Sequence, residues 1–418
     1  MSEWKEYQLS ELSDIVMGQS PPSNAYNEKN IGFPFLQGCA EFGDDYPTPR
    51  IYCSDPKKLA PANSILISVR APVGLINKSD KEYIIGRGLA AIVPTKGDFE
   101  FLYYQLNQIK HKLDRVSQGS TFLAINSNDL NYLLIDAPIS KDTQRKIARI
   151  LSSADAVIEK TQAAIAKYKA IKQGMLHDLF TRGIDPATNK LRPIYEDAPH
   201  FYKQSKLGRI PREWEVERLG EVGEFKNGVN KDKTAFGYGT LFVNIIDAYP
   251  ESLDCSTLGR VNININEKHD YELTKGDIIF VRSSVKPEGV GYNTLFIDFS
   301  ETIVFCGFMI RYRFNNKKDY KPEFFNSYFR FDDFRRRLIA SSTVSANTNI
   351  NQVALSKLLA IKPTENEQIE IIKRLEAIDI KIQTEQAYLK KLQQIKAGLM
   401  ADLLSGKKSV IVDEEPSN

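Results

Sequence analysis

The sequence predicts an α+β chain with a pseudo-twofold internal repeat, in which two α/β domains are separated by two long antiparallel coiled-coil helices. Three observations predict it. A short lead-in occurs twice, a heptad seam occurs twice at a fixed offset, and a Pro/Gly-rich stretch divides the copies.

The lead-ins are EWKEYQLSELSDIVMG at 3–18 and EWEVERLGEVGEFKNG at 213–228. Without a gap, Trp4 aligns with Trp214, Leu9 with Leu219, Glu11 with Glu221 and Gly18 with Gly228. Further along, Ile65-Leu66-Ile67-Ser68-Val69-Arg70 resembles Ile278-Ile279-Phe280-Val281-Arg282 with one residue slipped. Both are short apolar, β-branched runs and read as buried strands. A third echo sets Ile125-Asn126 and Leu130 beside Ile350-Asn351 and Leu355, and Pro138 beside Pro363.

The strongest echo is helical. Ile147, Leu151, Ala154, Ile158, Thr161, Ile165, Tyr168, Lys172, Met175 and Leu179 alternate steps of four and three, the spacing of a heptad seam. Adding 224 to each (147 to 371) gives Ile371, Leu375, Ile378, Ile382, Glu385, Leu389, Leu392, Lys396, Leu399 and Leu403. The polar positions coincide as well. Helices are expected near 142–181 and 366–405, each roughly 60 Å long. Pro138 and Pro363 precede them, and Gly183 and Gly406 follow as stop signals. The seam residues Ile147, Leu151, Ile158, Ile165, Ile371, Leu375, Ile382 and Leu389 would pair the helices with each other. The bland alternative is an ordinary helical hairpin within one core, and the intervening stretch, which looks like a complete α/β domain, argues against it.

The resulting organisation is a first domain at 1–140, a central helix at 141–182, a linker at 183–205, a second domain at 206–364, a distal helix at 365–406 and a tail at 407–418. The stretch 183–212 is rich in Pro, Gly and polar residues, as linkers are.

Composition bounds the function. The chain has 418 residues, 42% hydrophobic and 26% charged, which suits folded domains. The formal net charge is only +3, so any polyanion would have to be met by local basic patches. Cys39, Cys53, Cys255 and Cys306 form no C-x-x-C pair and the four histidines do not gather near them, so a metal site is not expected. Scattered thiols, no apolar leader and no membrane-length run point to the cytoplasm. Catalytic motifs are missing. There is no Asn/Asp-Pro-Pro-Tyr/Phe motif and no phosphate-binding G-x-x-x-x-G-K-[ST] loop. Gly86-Arg87-Gly88 reads as a packed turn.

One stretch carries a family resemblance. Lys206-Leu207-Gly208-Arg209-Ile210-Pro211-Arg212-Glu213-Trp214, followed by Leu219, resembles the opening of the second target-recognition domain of type I restriction-modification DNA-specificity subunits. The order domain, helix, domain, helix is similar to that family from end to end. The resemblance implies a non-catalytic subunit that reads a bipartite, asymmetric site on double-stranded DNA. It also implies that the helices set the spacing and dock two methylation subunits, with restriction/motor subunits joining in some systems. S-adenosylmethionine, ATP and Mg²⁺ would belong to those partners, and none to this chain. A helical scaffold without DNA specificity is the alternative.

Base reading needs donors and cations on loops. In the first domain these are Arg70, Arg87, Gln118, Ser120 and Thr121. In the second they are Lys226, Lys231, Lys233, Arg282, Ser283, Lys286, Ser342 and Thr343. Arg335-Arg336-Arg337 could clamp a phosphate, but Phe331, Phe334 and Leu338 interleave with it at helical spacing and favour the wet face of an amphipathic helix.

Overall fold

A computed structural model describes residues 3–110, 124–345 and 347–411. The chain forms two compact units, Met1–Ala164 with Glu385–Asn418, and Ile165–Thr384.

In the first unit, Trp4–Gln8 pairs antiparallel with Leu134–Pro138. A four-stranded antiparallel sheet follows, in the order Ser13–Met17, Leu89–Pro94, Ile65–Ser68, Ile76–Lys78. Every residue of Ile65–Ser68 is buried, which is why the run is apolar without alternation. A second sheet places Phe33–Leu36 parallel to Tyr83–Ile85. The helix Phe99–Gln108 starts where the Asp98 carboxylate accepts the Phe101 amide (3.0 Å).

The second unit repeats this plan. Glu215–Arg218 pairs with Leu359–Lys362. Its four-stranded sheet runs Gly223–Asn227, Met309–Phe314, Ile278–Val281, Asn293–Leu295. Phe236–Val243 lies parallel to Ile303–Phe305. Two helices, Pro322–Phe329 and Asp332–Ala340, complete it.

Equivalent positions explain the echoes. Gly18 donates its amide to the Leu89 carbonyl (2.9 Å), and Gly228 to that of Met309 (3.2 Å). Asn126 and Asn351 both cap short helices, accepting the amides of Asp129 (3.1 Å) and Ala354 (2.8 Å). Gln144 accepts the Asp98 amide and donates to the Pro138 carbonyl, both at 2.8 Å. Gln368 does the same with Lys321 and Pro363, both at 2.9 Å. Each glutamine thus ties the start of a long helix to the start of another helix.

The long helices are Lys141–Thr181 and Glu365–Leu403. All twenty seam positions are buried or half-buried. Each unit holds a stretch of both helices, and they run antiparallel there. In the first unit Ile147 and Leu151 share a core with Leu403 and Leu404, while Asp155 pairs with Lys396. In the second, Leu179 and Phe180 share a core with Ile371 and Leu375, while Lys172 pairs with Asp379 at 2.6 Å.

The stretch expected as a linker is folded into the second unit. Ile184–Asp185 pairs with Lys190–Leu191, and Tyr202–Ser205 with Gly208–Pro211. Its Gly and polar residues encode tight turns, with Asn189 and Gly208 at positive φ. Arg192 is 1% exposed and reaches Glu367, 0% exposed, at 2.6 Å. That partner lies in the distal helix, so no local pattern could announce it.

Candidate nucleic-acid interface

In the second repeat, three loops are bonded together at one end of the four-stranded sheet. The buried strand Ile278–Val281 runs out at Arg282, whose amide donates to the Phe308 carbonyl (2.8 Å). The Gly307 amide donates to Val229 (2.9 Å), and the Ile350 amide to the Arg282 carbonyl (2.9 Å). A Cβ at 307 would meet the amide end of the Asn230 side chain, so these two residues lie close together there. Beyond Arg282 the chain forms a small ribbon. Ser283–Ser284 pairs with Thr348–Asn349, which pairs with Thr343–Val344. Thr343, Asn349 and Ser283 are directly in register across it.

This ribbon brings together five of the expected residues: Arg282, Ser283, Lys286, Ser342 and Thr343. Arg282 is half-buried, with one long hydrogen bond to the Gly307 carbonyl (3.5 Å). Lys286 is exposed, and its side chain makes no hydrogen bond or ion pair among the described residues. Ser342 is turned back, its hydroxyl donating to the Leu338 carbonyl (3.1 Å).

The three lysines of the preceding loop divide. Lys231 is bound by both oxygens of Glu267 (2.7 Å each) and holds that carboxyl below its ordinary range. Lys226 lies 3.5 Å from Asp270 and over the Tyr271 ring. Both carboxylates belong to the helix Ile265–Tyr271, which neutralises the pair. Lys233 is exposed and has no partner among the described residues.

In the first repeat, Arg70 and Arg87 are exposed at the corresponding end of the sheet. The Arg87 amide donates to the Ser20 hydroxyl (3.3 Å). Gly86 and Gly88 press against Gln37, a packed turn that leaves the Arg87 side chain in the open. Gln118, Ser120 and Thr121 lie outside the described residues.

Arg70 and Arg282 are not equivalent. Leu89 pairs with Ser68, whereas its counterpart Met309 pairs with Val281. Ile125 donates to Val69 (2.9 Å), whereas Ile350 donates to Arg282 (2.9 Å). Arg282 therefore matches buried Val69, and Arg70, bridged to Ala124, matches Ser283, paired with Asn349. The one-residue slip in sequence is a real slip in structure, and it places the two arginines on successive, oppositely facing positions.

Arg335-Arg336-Arg337 lies on an amphipathic helix with Phe334 and Leu338 buried. Arg335 donates to the Glu288 carbonyl (2.7 Å) and Arg337 to that of Leu359 (2.7 Å). Arg336 pairs with Asp333 (3.1 Å). Among the described residues no group of His, Cys, Asp and Glu could hold a metal ion, and no helix is long and apolar enough to cross a membrane.

The ribbon itself was not legible in sequence. Its signal is a Ser/Thr/Asn-rich stretch, 341–351, interrupted by the apolar Val344, Ala346 and Ile350.

Comparison with known proteins supplies the context. The profile of the type I restriction modification DNA specificity domain matches residues 1–167 and 211–395. The putative type I restriction enzyme MjaX specificity subunit of Methanocaldococcus jannaschii is 41% identical over 169 residues, 40% of this chain and 40% of that protein. The MjaVIII specificity subunit of the same organism is 23% identical over 323 residues, 73% of this chain and 69% of that one. A crystal structure of the S subunit of a type I system from M. genitalium superposes with a TM-score of 0.57 at 17% identity, covering 96% of each chain. A second solved structure, described as the structural basis of complex assembly and conformational transition of the type I R-M system, gives 0.60 at 14% identity over 96% of this chain and 97% of that one. These structures share the fold.

Proposed function

The chain belongs to the type I restriction modification DNA specificity family, and we propose that it is the non-catalytic subunit that reads duplex DNA for such a system. The observation that carries this reading is the ribbon at the end of the second repeat's sheet. It joins hydroxyl and amide groups to Arg282 and Lys286, neither of which has a carboxylate partner among the described residues. Donors beside uncompensated cations suit base edges beside phosphates.

The first repeat presents different groups at the matching end, Arg70 and Arg87. Two unlike readers in one chain make an asymmetric, bipartite site. Methylation subunits are the partners, docked on the long helices, with restriction/motor subunits where the system has them. S-adenosylmethionine, ATP and Mg²⁺ act on those partners. The subunit works in the cytoplasm, in keeping with its four free cysteines.

The test is sequence-selective binding. The full chain with its methylation partners should select a split sequence from a random duplex pool, and its affinity should fall steeply with salt as counterions are released. Mapping methylated bases in the host genome should return the same split sequence. Salt-insensitive binding without selection would leave the helical scaffold as the better reading.

A further inference from the structure

Three apolar side chains stand in the open at the second repeat's interface. Val285 is 83% exposed, Val344 72% and Phe308 57%. They belong to the pieces of backbone joined there. Val285 follows the strand Ser283–Ser284, Val344 ends the outer strand, and Phe308 supplies the carbonyl that receives the Arg282 amide. A lone exposed apolar residue needs no explanation. Three beside two cations without carboxylate partners describe a surface that fits something anionic and locally apolar.

Duplex DNA has that chemistry. Among the base edges in the major groove, the apolar group is the 5-methyl of thymine, and a two-stranded ribbon fits that groove. We propose that the second repeat recognises thymine through its 5-methyl group, with Val285, Val344 and Phe308 making the contacts while Arg282 and Lys286 meet phosphates. This rests on the DNA reading proposed above and adds the base chemistry to it.

The first repeat is the internal control. Gly88 stands where Phe308 does, since Val69 donates to the Gly88 carbonyl as Arg282 does to that of Phe308. Arg70 stands where Ser283 does. The Phe308 side chain therefore has no counterpart in the first repeat.

The experiment uses the full chain with its methylation partners and the duplex it selects from a random pool. Deoxyuridine replaces thymine in one half-site at a time. Each contacted methyl lost from the second half-site should weaken binding about three- to fivefold, the worth of one buried methyl group. In the variant carrying Val285→Ser, Val344→Ser and Phe308→Ser, thymine and deoxyuridine duplexes should bind alike. The wild-type comparison stands by itself if that variant folds poorly. Equal wild-type binding of both duplexes overturns the inference and leaves DNA reading intact. Failure to select any sequence overturns both. A triple variant that keeps the thymine preference but sheds its partner subunits shows the patch to be a protein interface, which also overturns it.

Discussion

Lys172 meets Asp379 at 2.6 Å between the two long helices, and adding 224 to 172 and subtracting it from 379 gives Lys396 and Asp155, which pair in the first unit. The heptad seam thus carries the same ion pair twice, once in each unit. The surroundings differ. Lys172 also binds Glu251 (2.7 Å), whereas Asp155 also accepts from the Tyr104 hydroxyl (2.7 Å). Lys172→Met strands two carboxylates, while Lys396→Met leaves Asp155 with Tyr104. The first should cost about 2 kcal/mol and the second about 1 kcal/mol, read as an ordering of melting temperatures. Burial pushes the Lys172 ammonium down, but Asp379 and Glu251 together outweigh it and hold its pKa above the ordinary value. Burial, reinforced by Glu251, pushes the Asp379 carboxyl up, so the ionised group the fold favours is the ammonium. The Lys172 contribution is then complete below the ordinary lysine value of about 10.4 and is lost as pH rises beyond it.

Glu367 accepts four bonds: Arg192 twice (2.6 and 3.2 Å), the Trp214 indole (2.8 Å) and the Ile184 amide (2.7 Å). Removing the carboxylate leaves a buried guanidinium whose remaining ion pair among the described residues is with the half-exposed Glu213. Glu367→Ala should destabilise by about 3–5 kcal/mol, as breaking one side of a buried pair does. Replacing both members, Arg192→Met with Glu367→Leu, should recover much of that loss. Denaturant midpoints of the two variants, followed by tryptophan fluorescence, decide it. A double variant no more stable than the single one would show that the pair is needed for its geometry.

What was legible in the sequence follows from where the constraint lies. The helices were legible because seam packing acts on side chains at fixed intervals, and Lys172 and Lys396 surfaced with them. Strands Ile65–Ser68 and Ile278–Val281 were legible because burial on both faces forces apolar runs. Much of the repeat was hidden because strand pairing is made by the backbone. Val16 and Ala91 face each other in the first repeat where Lys226 and Arg311 do in the second. No residue comparison links those pairs, although the ladders are the same. The interface was half legible: its polar residues could be named, but their gathering depends on the bond from Ile350 to Arg282, and the offset of Arg70 from Arg282 depends on register.

Gly18 and Gly228 were found as an echo, and the structure gives the reason. A Cβ at Gly18 would lie 2.2 Å from the Gly86 carbonyl oxygen, and one at Gly228 2.2 Å from that of Cys306. Backbone atoms cannot swing aside as side-chain ends do. Alanine at either position should cost about 3 kcal/mol through overpacking. Gly38→Ala and Gly259→Ala are the controls, since a Cβ there meets nothing within 4 Å. Comparable losses from the controls would move the cause from packing to backbone conformation, since the loss of unfolded-chain entropy on Gly→Ala acts in the stabilising direction.

The charges around the second repeat's interface make one further expectation sharp. Lys286 is exposed and without a partner among the described residues, whereas Lys231 is held by both oxygens of Glu267. A lysine already neutralised displaces no counterion when a phosphate approaches. Lys286→Ala should therefore weaken DNA binding by a similar factor on every sequence and reduce the slope of log affinity against log salt by about one. Lys231→Ala should leave that slope unchanged. Titrating both variants against the selected duplex from low to moderate salt measures the difference. Equal slopes for Lys286→Ala and the wild type would place that lysine off the phosphate path and move the interface away from the ribbon.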